Sequence, residues 1–409
     1  PCVRPDASRH GPVQDAAPTR IGTLLMRVLM VSKALVTGVY QKKLEELAAL
    51  PDLELLAIVP PFWSESRVGA IPLKRMFTNG YDLAVEEMRF NGRHHLHYYP
   101  GLAKQMRRFK PDLVHIDEEP YNLVCAQATR LARRAKARTI FFTWQNLDRR
   151  YPPPFSLFER YSYSRASAAL AGNEDARRVL RRKGFEQPIE VIPQFGVDPE
   201  IFSPRQRPPA SSAFTIGYYG RLVPEKGIDT LIEAVAHLPS TARTVIVGSG
   251  ESLASLRELA QRLGVVERVE FRGPIPAETI PDFLAELDVV VVPSRTRPNW
   301  KEQFGRVIIE AMACQTPVIG SDSGEIQRVI GNPDLVFPEG DSRALAARIQ
   351  SLIDDPERTR QLGLAGRQRV LGHYTQAQVA AATYRVYQSV LGETALTPQP
   401  PLPGLGEGE

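Results

Sequence analysis

A chain of 409 residues is too long for one hydrophobic core, which stops growing near ~250–300 residues, so two domains are expected. Its 43% hydrophobic and 24% charged residues exclude a mostly disordered or fibrous chain, and a net charge of +5 is too mild to indicate a nucleic-acid binder. Three cysteines (Cys2, Cys125 and Cys314), odd in number and far apart, exclude a disulfide framework or a zinc cluster and point to a reducing compartment. Residues 1–25 show no charged leader with an apolar centre and read as a disordered extension. No apolar run approaches the ~20 residues a membrane-spanning helix needs.

From residue 26 the chain alternates short apolar runs with amphipathic helices. Strands are expected at Arg27–Val31, Leu53–Val59, Leu113–Ile116, Arg138–Thr143 and Ala168–Ala171. Helices are expected over Tyr40–Leu50, over Asn122–Ala135 and after Asn173, whose side chain suits an N-cap with Glu174 and Asp175 in the first turn. The Pro- and Ser-rich stretch 199–213 reads as an exposed linker. The rhythm then resumes with strands at Phe214–Tyr219, Thr244–Val247, Arg268–Phe271, Val289–Val292 and Pro317–Ile319, and helices ending near His237 and Leu263 or starting near Gly305. Four consecutive valines suit a strand buried on both faces. Two doubly wound α/β domains, 26–198 and 214–375, are therefore expected, with a helix over 376–392 returning to the first domain and a low-complexity tail at 393–409. Ligands in such sheets bind beyond the carboxyl ends of the strands, which points to the interdomain cleft.

Three strand-end loops of the second half carry the chemistry. Gly220-Arg221-Leu222-Val223-Pro224-Glu225-Lys226-Gly227 offers two cations that suit a diphosphate, Arg as a fork and Lys as a point charge, although a solvated surface loop has the same composition. Gly248-Ser249-Gly250-Glu251 lacks the third glycine of a dinucleotide fingerprint, because Leu253 stands there. That weakens an oxidoreductase reading and leaves a tight turn whose amides can approach a ligand. In Glu302-Gln303-Phe304-Gly305-Arg306-Val307-Ile308-Ile309-Glu310, Gly305 is expected to open a helix whose positive end faces the cleft. Eight helical steps from Glu302 to Glu310 would span ~12 Å, about the reach of a sugar diphosphate between two carboxylates that accept from hydroxyls. Glu310 lies in an apolar segment, and a buried acid needs a partner.

These loops, with Pro317-Val-Ile-Gly-Ser-Asp-Ser-Gly-Glu325 after them, resemble the retaining glycosyltransferase family 4 across roughly 26–390. The resemblance implies the GT-B fold, two Rossmann-like domains with a nucleotide-sugar donor in the cleft. It implies that Arg221 and Lys226 hold the diphosphate, that Glu302 holds hydroxyls of the transferred sugar and that Glu310 holds the ribose. Gly220, Gly248, Gly250, Gln303, Phe304 and Gly305 would cradle the donor, with Arg272 beside the base. It further implies front-face transfer in which the leaving phosphate takes the acceptor proton. No Asp-x-Asp occurs, so no metal-diphosphate clamp and no cofactor are expected; the donor would be a UDP-, GDP- or ADP-sugar.

The first half resembles the family less. Gly38 stands where paired glycines are frequent, and Gln145, followed by Asn146, takes the place of a histidine; glutamine can orient a hydroxyl but cannot exchange a proton near neutral pH. Asp117-Glu118-Glu119 reads either as a solvated acidic loop or as part of an acceptor site. His115 reads as a packed residue, and His95 and His97 would share a strand face without the further ligands a metal needs. Residues 26–200 hold 27 Lys and Arg against 20 Asp and Glu, so the first half carries the basic charge. Its basic runs, Lys104–Lys110, Arg133–Arg138 and Arg181–Lys183, are either solvated helix ends or attractors for an anionic membrane. The sequence thus suggests a cytoplasmic enzyme, peripheral on the inner membrane face, moving a hexose to a lipid-linked or polysaccharide acceptor. A nucleotide-sugar-binding protein without transfer activity and a GT-B epimerase are the alternatives.

Overall fold

The computed structural model describes residues 25–65, 69–206 and 213–392, so the expectations for 1–24, 207–212 and 393–409 lie outside the described residues. The first domain is built on a parallel sheet ordered β5-β2-β1-β6-β7-β8-β9, from β1 (Met26–Val31), β2 (Leu53–Val59), β5 (Asp82–Val85), β6 (Leu113–Ile116), β7 (Arg138–Thr143), β8 (Ala168–Ala171) and β9 (Ile189–Val191). A side hairpin pairs β3 (Phe62–Glu65) with β4 (Gly69–Pro72). The second sheet is also parallel, β12-β11-β10-β13-β14-β15, from β10 (Phe214–Tyr219), β11 (Ala242–Val247), β12 (Val269–Arg272), β13 (Val289–Val292), β14 (Val318–Ser321) and β15 (Val336–Phe337). In both, strand order reverses beside the first strand, which opens a crevice at the carboxyl ends.

Helices α1 (Lys42–Ala48), α2 (Leu102–Phe109), α3 (Leu123–Ala135), α4 (Phe155–Tyr163) and α5 (Glu174–Arg182) cover the first sheet. The second is covered by α6 (Ile228–Ala236), α7 (Leu253–Arg262), α8 (Ile280–Ala285), α9 (Arg306–Ala313), α10 (Ile326–Ile330), α11 (Ser342–Asp354) and α12 (Pro356–His373). Helix α13 (Gln376–Leu391) returns to the first domain, where Val379, Ala380, Val386 and Tyr387 join the same core as Leu44, Leu47 and Leu55. There His115 Nδ1 lies 2.6 Å from the Tyr387 hydroxyl, and burial holds the imidazole well below its usual pKa. Among the described residues no helix is long and apolar enough to cross a membrane.

Two sequence expectations change. The segment before α1 is a 3-10 turn, Gly38–Gln41, so the helix starts at Lys42 rather than Tyr40. His95 and His97 sit in a turn between β5 and α2, not on a strand; His95 packs edge-on among Tyr121, Tyr151 and Phe155, while His97 packs against Trp63. Among the described residues no group of three His, Cys, Asp or Glu side chains converges.

The chain passes between the domains twice, at adjacent points. Val197 N donates to Tyr374 O at 2.8 Å and Gln376 N to Val197 O at 3.0 Å. A Cβ on Gly196 would stand 2.4 Å from the Thr375 carbonyl carbon, so only glycine lets the two crossings touch.

Candidate active site

The loop after β10 and the loop after β11 are packed backbone on backbone. A Cβ at Gly248 would lie 1.9 Å from Gly220 O, and one at Gly250 2.1 Å from Leu222 O. These glycines therefore bring two strings of peptide groups together beyond the strand ends, where a phosphate can meet N–H groups. Lys226 closes the first loop, and its Nζ stands 2.5 Å from Glu302 Oε2 and 5.0 Å from the centre of the Trp300 ring. The same Glu302 oxygen accepts from Ser294 Oγ at 3.0 Å. Arg221 is more than half exposed and pairs with Glu225 at 3.1 Å, so only a weak surface ion pair restrains it.

Gly305, at φ +77°, breaks the backbone before α9, so the Glu302–Glu310 spacing is loop then helix and not a continuous helix. In the first turn of α9 Ile308 N donates to Gly305 O at 2.8 Å, which leaves the amides of Arg306 and Val307 without an intrahelical carbonyl. Glu310 is buried and its partners are Arg306 (2.6 Å) and the Tyr219 hydroxyl (3.1 Å). Arg306 also donates to the Tyr40 hydroxyl of the first domain. Beside Glu310 a cavity is lined by Tyr40, Ile201, Phe202, Ile280, Arg306 and Ile309. Arg272 is held by Glu270 and Glu286, each at 2.8 Å, while its carbonyl accepts from Gly248 N at 3.1 Å; the backbone, not the guanidinium, borders the glycine loop.

The acceptor-side residues divide. Asp117, Glu118 and Glu119 are not a solvated loop: the first two are buried and the third half-buried. Asp117 accepts from Ser32 (2.6 Å) and Gln194 (3.0 Å). Glu118 pairs with Lys33 and has His97 Nε2 3.5 Å away; burial pushes its carboxyl up, but the Lys33 ammonium and the neighbouring imidazole bring it down to about 2. Glu119 accepts from Thr143 Oγ1 (2.6 Å) and Trp144 N (2.8 Å), and burial outweighs those bonds to push it up to about 7. Gln145 turns into its own domain, where its oxygen accepts from Lys183 Nζ at 3.2 Å. Gly38 is roofed by Lys74 and Met76, with a Cβ there 2.5 Å from Met76 Cγ, so it serves close packing. Of these acceptor-side candidates, Asn146 alone reaches across the cleft, donating to the carbonyls of Lys301 (3.2 Å) and Glu302 (3.5 Å). Nothing in the sequence marks Ser294, Tyr219 and Lys33 as site residues, and Lys183 reads there only as part of a basic run, because each gains meaning only from a partner on another element.

Glu119 gives a pH prediction. Its folded pKa near 7 exceeds the ordinary unfolded value near 4.3, so between the two the folded state holds the extra proton and stability falls as pH rises. Glu119→Gln is expected to flatten that decline, and thermal melts of both proteins at pH 5, 6 and 7.5 check it; parallel curves would contradict it.

Residues 200–369 match the family described as glycosyl transferases group 1, and residues 71–194 match the glycosyl transferase 4-like domain. The chain is 32% identical over 267 residues to a GDP-mannose-dependent alpha-(1-6)-phosphatidylinositol monomannoside mannosyltransferase of Mycolicibacterium smegmatis, covering 60% of this chain and 68% of that one. It is 27% identical over 318 residues to the 2-deoxystreptamine glucosyltransferase of Streptomyces kanamyceticus, covering 71% and 81%. Among solved structures, a sucrose-phosphate synthase from Thermosynechococcus elongatus superposes with a TM-score of 0.67 at 20% identity over 90% of this chain and 100% of that one. Anabaena HepE in complex with UDP gives 0.67 at 19% over 89% and 100%. At such identities these two speak for the shared fold alone.

Proposed function

The chain belongs to the group 1 glycosyltransferases, family 4, and is a hexosyltransferase of GT-B fold that uses a nucleotide sugar; from that premise we propose that it retains the anomeric configuration of the transferred hexose and delivers it to a lipid-linked or glycan acceptor. The observation that carries this reading is the Lys226–Glu302–Ser294 cluster, set against two glycine loops and the N-terminus of α9. The donor diphosphate lies between those loops, near Lys226, Arg221 and the α9 amides. Glu302 accepts from hydroxyls of the hexose, and Glu310 from the ribose, with the nucleoside in the cavity beside it.

As the acceptor oxygen bonds to the anomeric carbon, the bond from that carbon to the diphosphate oxygen breaks on the same face. The acceptor proton passes to the departing phosphate, so no protein nucleophile is needed. Charge gathers on the leaving diphosphate, where preorganised cations and amides stabilise it. Activity is expected to persist in excess chelator, because the protein's own cations occupy the place a divalent ion would take; loss of transfer in EDTA, restored by magnesium, would overturn that.

A thermal-shift screen of GDP-, UDP- and ADP-hexoses tests the donor reading, since a ligand that binds the folded state raises the melting temperature by mass action. GDP-mannose is the first candidate, from the nucleotide sugar in the name of the mycobacterial relative. No shift with any nucleotide sugar would sink the reading, and binding without turnover would favour a protein that only binds the donor.

The membrane proposal rests on α2 and α3. Residues 88–111 and 120–147 contain no Asp or Glu. Lys104, Arg107 and Arg108 on α2, and Arg130, Arg133 and Arg134 on α3, are exposed at helical spacing. None has an ion-pair partner among the described residues. Each cation contributes about 1 kcal/mol near an anionic surface, so Arg133→Ala with Arg134→Ala is expected to weaken sedimentation with phosphatidylserine vesicles about 30-fold at low salt. Equal binding by the wild-type chain to neutral vesicles would contradict the proposal.

A further inference from the structure

The loop that carries Glu302 is held from the opposite domain. Four of the five positions from Asn299 to Gln303 are involved, all but Trp300. Arg149 donates to Asn299 O, Asn146 to the carbonyls of Lys301 and Glu302, and Asn173 Nδ2 to Gln303 O at 2.6 Å. Gln303 Nε2 returns a bond to Trp144 O at 2.9 Å, and Lys301 Nζ pairs with Asp175 Oδ2 at 2.5 Å. On its own side Lys226 and Ser294 hold the Glu302 carboxylate, while the loop backbone rests on the 324–325 turn. Glu325 N donates to Glu302 O at 3.3 Å, and a Cβ on Gly324 would lie 2.1 Å from that same carbonyl.

Asn173 is the informative member, because its amide is used at both ends. Its Oδ1 accepts from Ala176 N at 2.8 Å and so caps α5, which leaves the NH2 to meet the Gln303 carbonyl. A helix N–H needs an acceptor and a carbonyl needs a donor, so the two partners fix which way the amide points. Capping alone would be served as well by Asp or Ser. Only Asn, among the good caps, also offers a donor on a side chain of this length.

We propose that Asn173, with Asn146, is a positioning residue: its amide holds the backbone of Gln303, so Glu302 is aimed at the donor sugar only when the two domains are closed. The acceptor domain thereby sets the geometry of the donor site, and the domains must meet before transfer. This rests on the reading that Glu302 binds the transferred hexose.

Asn173→Asp tests it, since aspartate keeps the cap but sets an oxygen against the Gln303 carbonyl. Asn173→Ser, which also caps but is too short to span the gap, guards against an effect of the added charge alone. Both variants are expected to melt within about 2 °C of wild type, because a cap-for-cap exchange costs only a few tenths of a kcal/mol. Both should bind nucleoside diphosphate within about threefold of wild type. Their kcat should fall between tenfold and a hundredfold, the usual consequence of a misplaced reacting group. A purely structural Asn173 predicts unchanged kcat in both variants, and that result overturns the proposal. If wild-type protein transfers no sugar, the donor reading itself is wrong; if it transfers and both variants match it, only the clamp is wrong.

Discussion

Glu302→Ala is expected to lower kcat/KM for transfer about 10³-fold while nucleoside diphosphate affinity changes by less than about threefold. Glu302 is 8% exposed and is held at one oxygen only, Oε2, by Lys226 and Ser294; among the described residues no protein group donates to its other oxygen. That oxygen is the one free to take a sugar hydroxyl. Truncation removes the hydroxyl contact and also strips Lys226 of its counter-charge, which compounds the loss. Steady-state kinetics with the nucleotide sugar, beside calorimetry with the nucleoside diphosphate, separate the two effects. A fall in diphosphate affinity as large as the fall in kcat/KM would mean that Glu302 supports the phosphate site rather than the sugar.

Lys226→Ala is expected to cost 10²–10³-fold in kcat, the range seen when one preorganised donor to developing negative charge is removed. Unlike Glu302→Ala, it should weaken nucleoside diphosphate binding as well, and leave affinity for the unphosphorylated nucleoside unchanged. Lys226→Arg is not a conservative replacement here. Nζ is a compact charge in a 2.5 Å contact with Glu302 and lies over Trp300, where a planar guanidinium needs more room. Calorimetry with nucleoside and nucleoside diphosphate checks the pattern, and equal weakening of both ligands would contradict it.

These two side chains show how far a sequence can carry such an account. Strands Leu53–Val59, Leu113–Ile116, Arg138–Thr143, Ala168–Ala171, Phe214–Tyr219 and Val289–Val292 were legible to the residue, because a parallel strand covered on both faces is a continuous apolar run. The hairpin β3–β4 and the edge strand Asp82–Val85 were not. Of their residues only Trp63 is buried, so no pattern marks them. The two-residue strand Val336–Phe337 is too short to have a period.

The same contrast holds at the site. Gly220, Gly248, Gly250, Glu302, Gly305 and Glu310 stand out because each motif is local to one loop. What a sequence does not reveal is pairing between distant elements. Lys226 and Glu302 are 76 residues apart, and Asn173 and Gln303 are 130 apart. Asn173 was readable as a cap, yet its second bond exists only once the domains meet. In the same way Glu118 and Gln145, plausible acceptor ligands on the page, are committed to Lys33 and Lys183 in the fold.

The measurement that bears most directly on the account is the anomeric configuration of the product. Wild-type protein, an α-linked nucleotide hexose and a lipid or glycan acceptor would be followed by proton NMR, with release of nucleoside diphosphate quantified in parallel. The account predicts an α-linked glycoside formed mole for mole with nucleoside diphosphate. A β-linked product, or consumption of the donor with no new glycosidic bond, would contradict it.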